Sequence, residues 1–93
     1  MPSADLYPRC GSPLRLAKQE RWCGTHYAKT CRAWLDKFDA AASSLQGVFA
    51  ATYGEGNVTR WLNRWRLFFM GCEESFAYGD GDEWFVCHYL FQR

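Results

Sequence analysis

Residues 57–76, NVTRWLNRWRLFFMGCEESF, carry more aromatic surface than any other stretch of this chain. Apolar side chains recur at Val58, Trp61, Leu62, Trp65, Phe68, Phe69, Cys72 and Phe76, the i, i+3, i+4, i+7 spacing of one buried helical face. A helix of this length spans about 30 Å, roughly the diameter of a small domain. Gly54 and Gly56 interrupt any helix arriving from upstream, and the Asn57 side chain is suited to accept from an early backbone N–H, so the helix is expected to start there. Thr59, Arg60, Asn63 and Arg64 keep one side of its first half wet. Leu67 and Met70 add apolar bulk off the main stripe, so the second half is expected to be covered on more than one side.

Downstream, Gly79-Asp80-Gly81-Asp82 forms a turn into Glu83–Phe91, EWFVCHYLF, which is rich in aromatic residues and predicts a strand. Trp84, Val86 and Leu90 lie on one parity, and Phe85, Cys87, Tyr89 and Phe91 on the other. Apolar residues on both faces describe an interior strand, which needs a neighbour on each edge. Within the chain only Leu14–Cys23, LRLAKQERWC, can supply one. Its local propensity favours helix, while Leu14, Leu16 and Trp22 on one parity allow a strand. The sheet therefore calls for strands that this sequence does not contain.

Upstream, Thr25 is expected to cap a long amphipathic helix with the stripe Tyr27, Cys31, Trp34, Leu35, Phe38, Ala41, Ala42, Leu45. Ser43, Ser44 and Gly47 lower helicity, so the segment up to Tyr53 reads as a second, bent piece that Gly54 ends. At the start of the chain, Ser3 can open a short turn that Pro8 blocks, and Gly11-Ser12-Pro13 is a turn.

Seventeen aromatic residues (5 Trp, 5 Tyr and 7 Phe) among 93 exclude a disordered chain. They are also hard to bury, because a domain near this size hides only about 60–65% of its unfolded surface. A partner or a further domain is expected to cover the remainder. A net charge of +1 with interspersed signs gives no footprint for nucleic acid. Five irregularly spaced cysteines without a basic-then-apolar leader fit a reduced, cytoplasmic setting. The longest apolar run, Leu67–Met70, is far short of the ~18 residues of a membrane span.

Few residues suggest chemistry by themselves. Cys10, Cys23, His26 and Cys31 lack the C-x-x-C knuckle of a zinc site and read as reduced thiols, so no metal is expected. Gly54-Glu55-Gly56 lies between two helices and reads as a linker, not a phosphate-cradling loop. His88 and Cys87 are strand neighbours whose side chains point oppositely, which excludes a catalytic pair. Arg60, Arg64, Trp61 and Trp65 would suit a lipid headgroup surface, although Trp at helical spacing is more often core. Tyr27 stands in the first turn of its helix, where a phenol can reach over a pocket rimmed by helix-terminal N–H groups. A buried tyrosine with a satisfied hydroxyl is the alternative.

Taken together, MPSADL, THYAKTCRAWLDKFD, RWLNRWRLFFMGCEESFAY and EWFVCHYLFQR resemble the C-terminal third of the cyclopropane-fatty-acyl-phospholipid synthase family of S-adenosylmethionine-dependent methyltransferases. The resemblance implies an α/β fragment, residues 1–93 forming the C-terminal part of a Rossmann-like methyltransferase fold. Two or three helices would pack on a pair of antiparallel strands, with Leu14–Trp22 as the second strand. It further implies methyl transfer from S-adenosylmethionine to the double bond of a phospholipid acyl chain at the membrane surface, in an enzyme peripheral to the inner membrane. Bicarbonate would take the released proton, and Tyr27 matches the tyrosine that helps to hold it. The family's glycine-rich cofactor loop and the remaining bicarbonate ligands would lie upstream of Met1, which matches an interior Met of the family. The expectation is thus a truncated gene product that binds no S-adenosylmethionine alone and self-associates through its open strand edge. The alternative is a non-catalytic interaction module docking an aromatic helical face on a partner or membrane.

Overall fold

A computed structural model describes residues 2–93, so the reading of Met1 lies outside the described residues. The elements run α1 (Leu6–Arg9), β1 (Arg15–Trp22), α2 (Gly24–Ala40), α3 (Ala42–Tyr53), α4 (Val58–Ala77) and β2 (Val86–Gln92). The helices pack on one end of an antiparallel β1–β2 pair, the arrangement that the resemblance implies.

Within Leu14–Cys23, Arg15–Trp22 is thus a strand despite the segment's helix-forming composition. Pairing along the full length of β2 outweighs a local preference of a few tenths of a kcal/mol per residue. The register slips between Leu16 and Lys18, leaving Ala17 as a bulge. Leu16 pairs with Phe91 and Trp22 with Val86, so two residues that share a parity in the sequence stand on opposite faces of the sheet. The second strand begins at Val86 and not at Glu83, because the chain is still turning there: Gly79, Asp80 and Gly81 all hold positive φ.

Three local details depart from the sequence reading. Asn57 precedes α4 but makes no capping bond; its Nδ2 donates instead to the Tyr53 carbonyl at 2.9 Å, closing the end of α3. Thr25 is not the cap of α2, which begins a residue earlier with Cys23 in the capping position. Pro8 sits inside α1 without blocking it, since a first turn needs no N–H from that residue.

The core is the antiparallel seam between α2 and α4. Tyr27 packs edge-on to Phe76, ring centroids 4.5 Å apart, and Trp34 and Phe38 meet Phe69 at 6.3 and 5.8 Å. Ala28, Cys31, Leu35, Phe49 and Phe76 are the buried apolar residues among those described. Ion pairs flank the seam, Arg66–Asp39 at 2.7 Å and Arg32–Glu73 at 3.1 Å. At the end where helices meet strands, Gly24 and Gly81 are buried against one another. A Cβ on Gly24 would run into the Trp84 carbonyl and lie 2.5 Å from that of Phe76.

Much apolar surface stays open. The radius of gyration is 17.6 Å, against about 12 Å for a compact domain of this length. The accessible surface is 7032 Å², where roughly 5,500 Å² is usual for this mass. Leu67 and Met70 are 65% and 42% exposed, so the expected second cover over α4 is not supplied by the described residues. On β2, Cys87, Tyr89 and Phe91 are half-buried, Tyr89 edge-on to Tyr7 and its hydroxyl donating to the Ala4 carbonyl at 2.5 Å. The opposite face, with His88 and Leu90, is open. Among the described residues no helix is long and apolar enough to cross a membrane.

The two kinds of glycine give a direct check. Gly24→Ala forces backbone apart and should cost about 1–3 kcal/mol. Gly71, exposed in mid-α4 with no other group within 4 Å of where a methyl would stand, should gain about 0.5–1 kcal/mol on Gly71→Ala. Urea melts of the two variants should move in opposite directions; a neutral Gly24→Ala would contradict the close approach.

Candidate functional site

The seam continues outward as a connected series of rings. Trp84 meets Phe76, Phe76 meets Tyr27, Tyr27 meets Trp34 and Trp34 meets Phe69. Phe69 then meets Trp65 and Phe68 at 6.1 and 5.7 Å. The series ends in a wall on α3 and α4, where Tyr53 stacks on Trp61 at 4.1 Å with planes 8° apart. The Trp65 indole N–H donates to the Tyr53 hydroxyl at 3.3 Å, which ties the two helices together at the wall. Trp61, Arg64, Trp65 and Phe68 line a shallow concavity of about 220 Å³.

Trp65 and Phe68 are not core: they are 37% and 53% exposed. The reason is topological, since α2 covers the Phe69 and Phe76 side of α4 while α3 reaches only its beginning. Two exposed rings, Trp65 and Phe68, beside the half-buried Tyr53–Trp61 stack form the kind of patch that marks a binding surface. The Arg64 guanidinium already lies 4.7 Å from the Trp61 ring centroid, so this ring face accepts a cation. Periodicity in the sequence finds Trp61, Trp65 and Phe68 but assigns them to the core. It does not find Tyr53, because its partner Trp61 lies beyond a glycine-containing linker and only the helix–linker–helix geometry joins them.

Tyr27 is half-buried in the first turn of α2, its ring fixed between Phe76 and Trp34. Burial, then the adjacent Cys31 thiol, pushes its phenol up from the ordinary value, so at neutral pH it is a hydrogen-bond donor. Cys10, Cys23, His26 and Cys31 are not brought together, and no group of three metal-ligating side chains exists among the described residues. Gly54-Glu55-Gly56 is the helix linker that the sequence indicates. His88 is exposed and tilts against Trp22 at 5.7 Å.

No family model matches the chain. It is 32% identical over 92 residues to an (S)-coclaurine N-methyltransferase of Papaver somniferum, covering 98% of this chain and 26% of that protein. To an (S)-coclaurine N-methyltransferase of Thalictrum flavum subsp. glaucum it is 26% identical over 95 residues, covering 100% of this chain and 26% of the relative. A crystal structure of coclaurine N-methyltransferase bound to N-methylheliamine and SAH aligns over 100% of this chain and 28% of its own, with 28% identity and a TM-score of 0.84. This chain resembles the C-terminal part of an S-adenosylmethionine-dependent N-methyltransferase.

It spans about a quarter of the length of the curated N-methyltransferases it matches. These share a superfamily with the cyclopropane synthases, so the broad resemblance read from the sequence holds, while its narrower form, lipid cyclopropanation, finds no support in them. The related N-methyltransferase structure holds SAH. Among the described residues Gly54 and Gly56 lie between two helices and not between a strand and a helix. No step through the cofactor follows from these residues.

One thiol has a distinct environment. The Cys23 Sγ lies 3.1 Å from the Thr25 hydroxyl and donates to the Asp80 carbonyl at 3.2 Å. The Thr25 hydroxyl, then its backbone N–H, holds the Cys23 thiol below the usual range. A lowered value means that thiolate persists to lower pH in the folded chain than in the unfolded one. Alkylation of Cys23 by iodoacetamide should therefore rise at lower pH in the folded chain than in urea. Thr25→Val should move the folded profile upward, and an unchanged profile would remove Thr25 as the cause.

Proposed function

We propose that this chain is the acceptor-side portion of an S-adenosylmethionine-dependent N-methyltransferase, and that the wall of Tyr53, Trp61, Trp65 and Phe68 holds the amine to be methylated. The observation that carries this reading is a part-exposed aromatic wall, open at Trp65 and Phe68, in a chain that aligns along its whole length with an N-methyltransferase bound to a ligand with a methylated nitrogen. N-methylation places positive charge on the acceptor nitrogen. Ring faces attract such a charge by roughly 0.5–2 kcal/mol, more strongly when water is excluded, so the wall favours the charged product-like state over a neutral one. The Phe69–Trp34–Tyr27 series fixes the wall from behind, leaving little freedom for its rings to turn away.

Tyr27 enters this proposal as a positioned donor. Its phenol keeps its proton, and its ring contacts do not depend on the oxygen. Phospholipid acyl chains and bicarbonate, which the cyclopropane synthase resemblance implies, have no support in the names of the relatives.

The test is a chimera in which residues 1–93 replace the matching C-terminal segment of the Papaver somniferum (S)-coclaurine N-methyltransferase. The chimera should methylate coclaurine and release SAH. Trp65→Ala should raise KM for the amine by about 3- to 30-fold with the KM for S-adenosylmethionine nearly unchanged. Tyr27→Phe, which keeps the ring contacts with Trp34 and Phe76, should leave the melting temperature and the KM for the amine nearly unchanged. A folded chimera that binds S-adenosylmethionine but releases no SAH would contradict the reading.

A further inference from the structure

Partners along the α2–α4 seam step down one helix as they step up the other. Tyr27 meets Phe76 and, two turns further along α2, Trp34 meets Phe69. Cys31 lies one turn after Tyr27, and Cys72 one turn before Phe76. Their next neighbours, Arg32 and Glu73, are joined across the same seam at 3.1 Å. This register sets Cys31 and Cys72 opposite one another. Ala28 and Cys31, the small buried residues of α2, are 6% and 1% exposed at this part of the seam. Small side chains let two helix backbones approach closely, and a disulfide needs Cα atoms within about 7 Å.

We propose that Cys31 and Cys72 are a thiol pair that closes to a disulfide across the α2–α4 seam when the folded chain meets a small-molecule disulfide such as oxidised glutathione. Cys72 is only half-buried and takes the first step. Its thiolate attacks one glutathione sulfur, the glutathione S–S bond breaks, and one glutathione thiol leaves. Cys31, too buried to meet the reagent, then attacks the Cys72 sulfur of the mixed disulfide and displaces the second glutathione thiol. The protein loses two protons and two electrons, and the glutathione disulfide is reduced to two thiols. Burial pushes the Cys31 thiol up, which makes the second step slow near neutral pH and faster as pH rises. Cys10 and Cys23 are exposed and stand off the seam, and Cys87 lies on β2, so the pairing is selective. The cross-link would join the helices midway between Tyr27–Phe76 and Trp34–Phe69, fixing the base of the ring series. It does not depend on the acceptor that the wall takes.

The full chain carrying Cys10→Ser, Cys23→Ser and Cys87→Ser, which keeps the pair, is oxidised with glutathione disulfide at pH 8.5 under native conditions and mapped by mass spectrometry. The expected product is a monomer lacking two hydrogens, with a peptide link between residues 31 and 72 and a melting temperature above that of the reduced chain. Adding Cys31→Ala should trap glutathione on Cys72. As a second measurement, the all-cysteine chain should give the 31–72 link ahead of other pairs when folded and lose that preference in urea. A folded chain that keeps Cys31 as a free thiol while Cys72 carries glutathione would overturn the proposal, as would an equal mixture of pairs.

Discussion

The antiparallel contact of α2 with α4, anchored where the Tyr27 ring meets Phe76, is the interaction on which the rest of this structure depends. It buries Ala28, Cys31, Leu35 and Phe76, most of the core that the described residues have. It also sets the entry to the sheet. Because Phe76 must reach Tyr27, α4 ends beside the start of α2, and the two connecting turns are forced together at Gly24 and Gly81. Side chains larger than hydrogen do not fit at that crossing, so the positive φ of Gly79, Asp80 and Gly81 is what delivers β2 alongside β1.

The seam leaves α4 two-sided. One side lies on α2, while the other shows Trp65, Leu67, Phe68 and Met70 to solvent beyond the reach of α3. An excess of roughly 1,500 Å² over the surface usual for this mass is about twice what one partner buries in a standard protein–protein interface. Two of the places that contribute are the wall on α4 and the open face of β2 with His88 and Leu90. The first is concave and bears a ring face that already holds a guanidinium. The second is flat sheet, a surface that another layer of a doubly wound fold would cover.

Helix periods were legible in the sequence because α2 and α4 each have one face to bury, and apolar residues at i, i+3 and i+4 report that face. The break between α2 and α3 was legible from low-propensity residues, although it falls at Ala41, ahead of Ser43. The strand character of 15–22 was not readable from local composition, since it arises from pairing with residues some 70 positions away; family resemblance supplied it. The bulge at Ala17 left no mark, for Ala is compatible with either register. Periodicity places a residue on a stripe but cannot say whether another element lies over it, which is why Trp65 and Phe68 read as core. The wall needed Tyr53 as well, and that residue joins it only through the turn at Gly54, whose φ of 92° sends α4 back across the end of α3. The same limit applies to substrate. The residues that resemble a cyclopropane synthase are those that build the shared seam and sheet, and they do not discriminate a lipid double bond from an amine nitrogen.

The central claim is that the Tyr53–Trp61–Trp65–Phe68 wall faces the acceptor nitrogen. A crystal structure of the chimera with N-methylheliamine and SAH tests this most directly. The account predicts the ligand nitrogen within about 6 Å of the Trp61 or Trp65 ring centroid, with Arg64 displaced from Trp61. A ligand bound elsewhere, with the wall still open to solvent and Arg64 still over Trp61, would contradict it.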